Sequence, residues 1–202
     1  MPTRPDGIDP DAEWIAQSIE ALDFAGVEAD HVSLNECRLR GVSLTGARLE
    51  QLRLTDVELV DCELSGLIAT ECSMLRVAMR GCRMTGVVLS DSTLRDVGMT
   101  GCKLDDANLR FTNCERVRLE DCSLARADLT GMTMKAGAVV DCDLRAGDVT
   151  KAKLTGTRLT GSKIEGLQGA GALRGVVIGT EQVLPLALAI FADHHITIDD
   201  DG

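Results

Sequence analysis

Apolar residues recur at every fifth position for most of the chain. With the central residue of each five called i, the series opens on Phe24, Ala29, Leu34, Leu39 and Leu44, closes on Val149, Leu154, Leu159 and Ile164, and is apolar at every step between. In a chain that is 45% hydrophobic, the 27 positions from Leu34 onward would all be apolar by chance roughly once in a billion sequences. Position i−2 is also of inward type but smaller, as in Val32, Cys37, Val42, Ala47, Val57, Cys62 and Val77. Two inward residues in five match neither a helix of period 3.6 nor a strand of period two. They match a short extended piece that turns a corner every five residues, and glycine recurs at i+2 (Gly41, Gly46, Gly66, Gly81), where such a corner needs a permissive backbone.

This pattern resembles that of the pentapeptide-repeat family, A(D/N)LXX, with its plainest copies in Ala107-Asn108-Leu109 and Ala127-Asp128-Leu129. The resemblance covers Leu22 to Leu167 without a break in register. It implies an all-β solenoid, a right-handed quadrilateral parallel β-helix with four pentapeptides to a coil and about seven coils. At the spacing of neighbouring strands the body would be a rod on the order of 35 Å long. The expected organisation is an N-terminal cap segment over residues 1–21, the β-helix over 22–167, and a C-terminal cap and dimerisation segment over 168–202.

A stack of coils ends in open apolar layers and unpaired strand edges, so caps are expected. Asp9 and Pro10 read as an N-cap and first-turn pair, with Trp14, Ile15 and Ile19 forming the apolar face of a short N-terminal helix to about Leu22. At the other end Thr180 reads as the N-cap of a helix from Glu181 to about Ala192, and His195 to Ile198 as a short strand. The run ALRGVVIGTEQ from Ala172 to Gln182 resembles the cap of actinobacterial members of the family, which implies pairing of two subunits through that cap. The helix is apolar enough to serve, and Val183, Leu184, Leu186, Leu188 and Phe191 are the dimer-contact candidates.

Eight cysteines invite a metal or disulfide reading, which their positions oppose. Seven occupy the small inward slot and Cys114 a central one. Cys62, Cys82, Cys102, Cys122 and Cys142 stand twenty apart, so a twenty-residue coil stacks them as a straight ladder without the tetrahedral convergence of a zinc site. They read as small buried hydrophobes. His31, His194 and His195 are the only histidines; the last two adjoin Asp193 near the chain end, and no nucleophile stands at a diagnostic spacing from them. No phosphate loop, HExxH or GxSxG is present, and a narrow filled tube offers no cleft, so no catalytic, metal or cofactor site is expected and the chain reads as a binding protein, not an enzyme.

Outward positions that break the polar rule are the better clue. Ile68 and Val88 stand twenty apart on one face with Phe111 at its corner a coil further on, and these three are the partner-contact candidates. Val60, Val140 and Leu75 are exposed in the same sense on other faces.

Charge refines the choice of partner. The net charge of −11 sits at the ends: residues 1–30 hold eight acids against Arg4, residues 166–202 five against Arg174, and the body holds 19 of each sign. Sorted by face, the repeat carries about 0, −2, +2 and 0, with no strong acidic stripe. Direct nucleic-acid binding is not expected. Lacking an apolar run of membrane length or a signal segment, the chain is expected in the cytoplasm with reduced thiols. A rigid protein-interaction scaffold is the first functional expectation. The alternative implied by the resemblance is a DNA mimic that binds DNA gyrase or another type II topoisomerase and inhibits it or protects it from quinolones, with antibiotic resistance as its setting.

Overall fold

The computed structural model describes residues 7–197. Twelve strands run in parallel: β1 Glu13–Ile15, β2 Ser18–Glu20, β3 Ser33–Asn35, β4 Arg38–Arg40, β5 Arg53–Thr55, β6 Glu58–Val60, β7 Ser73–Arg80, β8 Thr93–Thr100, β9 Asn113–Glu115, β10 Arg118–Glu120, β11 Thr133–Lys135 and β12 Ala138–Val140. Pairing steps by twenty residues. On one face Trp14, Leu34, Leu54, Met74, Leu94, Cys114 and Met134 lie in register, and on the next Ile19, Leu39, Leu59, Met79, Met99, Leu119 and Val139. The other two faces are held by single bridges at the same step, one from Asp23 through Ser43 to Lys163 and one from Glu28 through Arg48, Ile68 and Val88 to Gln168. Four sides to a coil follow directly. The chain is the expected parallel β-solenoid.

The corners are built alike. Every i+2 residue from Asp11 to Gly166 has a positive φ, between 50° and 80°, whether it is glycine or not. At most corners its N–H donates to a carbonyl of the following coil, as Ala16 does to Asn35 and Gly41 to Val60, at 2.9 Å each. In the opposite direction the N–H of the i−1 residue donates to the preceding coil, Ser33 to Ala12 and Arg53 to Val32. Each coil therefore offers donors and acceptors to both neighbours, and the buried backbone is satisfied wherever a neighbour exists.

The interior is one continuous apolar cluster of the i and i−2 side chains. Beyond Trp14 and Phe24 in the first coil, leucine and methionine fill most of the centre, and the few voids total tens of Å³. The i−2 slot also accepts small polar groups by a common rule: the side chain reaches the carbonyl 23 residues back. Cys62 donates to Leu39 O, Cys82 to Leu59 O, Thr112 to Leu89 O and Ser162 to Val139 O. Thiols and hydroxyls thus interchange there, and among the described residues only the buried hydroxyl of Thr157 is left without a partner.

The N-terminal helix expected over Asp9 to Leu22 is not formed. Residues 13–20 make β1 and β2, with Ala16 in the left-handed corner between them. Trp14 and Ile19 fall on the fivefold register, so stacking on the next coil, with a ladder to pair against, outweighs the local cap signal. Ile8 closes the mouth of the tube beside Trp14, whose ring is 5.7 Å from that of Phe24.

At the other end the last bridge, Arg158 to Val177, steps by nineteen and the register is lost. Two 3-10 turns, Ala170–Ala172 and Thr180–Gln182, lead into α1, Val183–Asp193. Thr180 lies inside the second turn and does not cap α1; no side chain caps that helix. His195 has a positive φ and residues 195–197 form no strand; Ile198 lies outside the described residues.

All eight cysteines are free and buried. Burial pushes the Cys114 thiol up to about 12 and the Cys72 thiol up to about 11. In the five-membered ladder the bonds between rungs push Cys82 and Cys122 up and pull Cys62, Cys102 and Cys142 down. The direction that holds for the ladder as a whole is up: burial raises all five, and the charges acting on Cys142 are the carboxylates Asp121 and Asp141, which raise it further. Protonated buried thiols are poor nucleophiles. The native protein should therefore leave all eight unreacted with an aromatic disulfide reagent on the time scale in which the urea-unfolded chain releases eight equivalents, read by absorbance. Leu104, 1% exposed at the middle of the tube, sets the packing scale. Leu104→Ala should cost about 2–5 kcal/mol in urea denaturation.

Candidate interaction surface

The wall that runs from Glu28 through Arg48, Ile68 and Val88 to Gln168 carries the apolar candidates. Ile68 and Val88 are bridge partners in adjacent coils, half-buried, with Arg48 before them and Asn108 after. Phe111 occupies the adjoining corner with φ 56°, a conformation unusual for a bulky side chain, and is 49% exposed. Its ring lies over Gly131, the equivalent corner of the next coil, where a Cβ would stand 2.5 Å from the ring. The Arg110 guanidinium sits 5.5 Å from the ring centre on its other approach and pairs with Asp128 at 3.2 Å. Phe111 is thus held in place by its own surroundings while half of it faces solvent. Val60 and Val140 are half-buried in one column of a different face and Leu75 on another, and they do not extend this patch.

Charged side chains pair from coil to coil at the corners and walls. Arg76 grips Asp56 through two bonds of 2.6 Å, Arg116 grips Asp96 at 2.5 and 2.9 Å, and Arg126 grips Asp106 at 2.7 Å twice. Glu58 is shared by Arg38 and Arg80. The guanidinium hydrogen bonds hold the Asp56, Asp96, Asp106 and Glu58 carboxyls below their ordinary range. This alternation, invisible until residues twenty apart are stacked, is why the walls carry little net field.

The C-terminal helix shows a divided face. Val183, Leu184, Leu188 and Phe191 are exposed, Leu184 by 67%, whereas Leu186 turns back against the core. Beneath it a groove of about 600 Å³ opens between Leu184, Leu188 and the last coil at Leu167 and Gln168.

His194 and His195 are exposed just beyond the helix, and His31 stands at a corner 3.8 Å from Asp11. Asp193 does not serve the histidine pair. Its two oxygens accept from the backbone N–H groups of Gly169 and Gly171 at 3.2 and 3.1 Å. No group of three or more His, Cys, Asp or Glu among the described residues is placed to hold a metal ion.

One residue with a clear role was missed in the sequence. Gln182 is buried and stands twenty beyond Ser162, in the column of the thiol ladder. Its amide donates to Leu159 O, again 23 residues back, and to Ser162 O, and accepts from Gly179 N. The signal that could have found it is the column at twenty, which continues after the fivefold pattern has faded.

A left-handed corner at every fifth residue, four to a coil, around apolar i and i−2 positions is the repeat itself in three dimensions. The chain belongs to the pentapeptide-repeat family. Two family models match, "Pentapeptide repeats (8 copies)" over residues 23–59 and "Pentapeptide repeat region" over 52–129, and together they span more than half of this pentapeptide-repeat protein. Among solved structures it is similar to two trypsin-treated variants of QnrB1, a plasmid-mediated fluoroquinolone resistance protein. One is 18% identical with a TM-score of 0.52, over 93% of this chain and 100% of that one; the other is 19% identical with a TM-score of 0.51, over 94% and 99%. At that identity the likeness is one of fold. No curated protein matches. No helix among the described residues is long and apolar enough to cross a membrane.

The ion pairs fix the acid response of this surface. A carboxyl whose folded pKa lies below its unfolded value stabilises the fold above the unfolded value, and that contribution is lost as pH falls through the folded one. The melting midpoint should hold from neutral pH to about 5 and fall below about 4. Arg76→Ala with Arg116→Ala should flatten that fall, measured by circular dichroism melts against pH at low salt.

Proposed function

We propose that this pentapeptide-repeat protein is a rigid, non-enzymatic scaffold that binds a protein partner on the wall at Ile68, Val88 and Phe111. It pairs with a second copy through the exposed face of its C-terminal helix and works in the cytoplasm without metal or cofactor. The observation that carries this reading is Phe111: a half-exposed aromatic ring, held over Gly131 on a corner of strained φ, beside the apolar bridge pair. Rigid aromatic anchors of this kind contribute contact area at little entropic cost. The partner's matching surface would be apolar and weakly charged, since the walls around the anchor neutralise themselves. In domain terms the N-terminal coil and the β-helix form the scaffold, and residues 168–202 the cap that pairs.

A type II topoisomerase is the second reading, favoured by the fold shared with a fluoroquinolone resistance protein. Against it stand the coil-to-coil ion pairs, which leave no line of negative charge comparable with duplex DNA on the repeat walls.

The readings separate in three measurements. Bait carrying Ile68→Lys, Val88→Lys and Phe111→Ala, with an unchanged melting midpoint, should lose proteins that wild-type bait retains; retention of all of them overturns the wall assignment. Light scattering at micromolar concentration should give twice the 21.5 kDa chain mass, falling to one chain with Leu184→Glu and Leu188→Glu; a monomeric wild type overturns the pairing. In a gyrase supercoiling assay the scaffold reading expects no inhibition and no protection from a quinolone, and either effect would transfer the assignment to the topoisomerase.

A further inference from the structure

The two ends of the solenoid differ in their backbone edges. At the C-terminal end three side chains take the place of a further coil. Glu181 accepts from Gly161 N at 3.0 Å, where the equivalent Asp141 N donates to the Thr160 carbonyl a coil on. Asp193 accepts from Gly169 and Gly171, and Gln182 donates to Leu159 O and Ser162 O. Those groups of that edge are met by side chains.

The N-terminal edge has no such closure among the described residues. In later coils the N–H groups equivalent to Glu13 and Ser18, those of Ser33 and Arg38, donate backward to Ala12 and Gln17. The carbonyls equivalent to Ile15 and Glu20, those of Asn35 and Arg40, accept from Ala16 and Ala21. Among the described residues, strands β1 and β2 each pair on one side only, with β3 and β4. Their outward groups are thus a short template for another strand, with exposed Ile15 as an apolar contact beside it.

Charge selects what would pair there. Residues 7–37 hold eight carboxylates from Asp9 to Glu36 and no lysine or arginine. The ion pairing that neutralises the later coils begins only with Arg38 and Glu58. A second copy would bring an equal set of carboxylates against this edge, and nucleic acid would be repelled. We propose that the edge of β1 and β2 takes an extended, lysine- or arginine-bearing segment of a partner protein as an added strand. Backbone hydrogen bonds would supply the fit and the acidic rim the selectivity. This surface lies apart from the Phe111 wall and stands or falls without it.

Trp14, the one tryptophan, lies half-buried in β1 and reports on the edge directly. The full chain is titrated with an eight-residue peptide alternating lysine and valine, with a glutamate–valine peptide as control, and Trp14 fluorescence is followed. The expected result is saturable binding of the lysine peptide alone, weakening as salt rises. It should weaken about tenfold or more in Ser18→Pro, which removes one edge donor and is tolerated on an edge strand. Should Ser18→Pro lower the melting midpoint, hydrogen exchange of the wild type decides, with protection of the Glu13 and Ser18 amides by the peptide expected. No saturable change with the lysine peptide up to millimolar concentration overturns the proposal. So does equal binding of the two peptides, undiminished binding by a fully folded Ser18→Pro, or binding without protection of those amides.

Discussion

A backbone N–H at every fifth residue must point along the solenoid axis toward the next coil, and only the left-handed corner conformation turns the chain sharply enough to put it there. From Asp11 to Gly166 no i+2 residue departs from positive φ, although most are not glycine. For such residues the conformation costs conformational energy. Its repetition through aspartate, arginine and even Phe111 means that inward burial of the flanking i and i+3 residues, together with the ladder hydrogen bond made at most corners, outweighs that cost. The rest follows from this corner: the flat faces, the twenty-residue step, and a narrow interior filled mainly by aliphatic side chains.

Because each coil lies directly over the last, the chemistry of the molecule is organised down columns. Inside, the thiols of Cys62, Cys82 and Cys122, the hydroxyls of Ser92, Thr112 and Ser162 and the amide of Gln182 occupy equivalent slots and use carbonyls of the preceding coil. Thr157 is the exception among the described residues: it is buried in the same slot with no partner for its hydroxyl. Outside, aspartate and arginine alternate in the corner column of Asp56, Arg76, Asp96 and Arg116. Exposed ion pairs of this kind add little stability each. Their larger effect is on the field of the surface, since they leave long walls with paired charge and make the few apolar exceptions the features a partner would meet.

The excess of negative charge lies in the first coil and beyond the last, where the alternation is absent. The ends differ in finish as well, one edge partly covered by Glu181, Gln182 and Asp193 and the other carrying unpaired strand groups among the described residues. A repeat structure tolerates such differences because each coil depends mainly on its neighbours. The walls and the two ends can therefore serve different contacts without strain passing between them.

The fivefold series of leucines, the smaller i−2 residues and the cysteines at twenty were enough to establish the solenoid, its four sides and the inward fate of the thiols, because each is a strictly local steric demand repeated many times. Ile68, Val88 and Phe111 could likewise be recognised as outward, since register alone assigns a residue to a face. The first coil could not. Asp9, Pro10, Trp14 and Ile19 carry helix signals, yet the segment forms strands β1 and β2, which pair with the ladder at Ser33 to Arg40. Gln182 and Asp193 were illegible for a related reason: their partners are backbone groups 20 to 24 residues away, brought within reach only when the last coil is in place. Local sterics written every five residues are determined by the sequence itself. Which side chains meet across coils, which charges cancel and which edge stays open depend on contacts between residues distant in the chain, and those exist only in the folded stack.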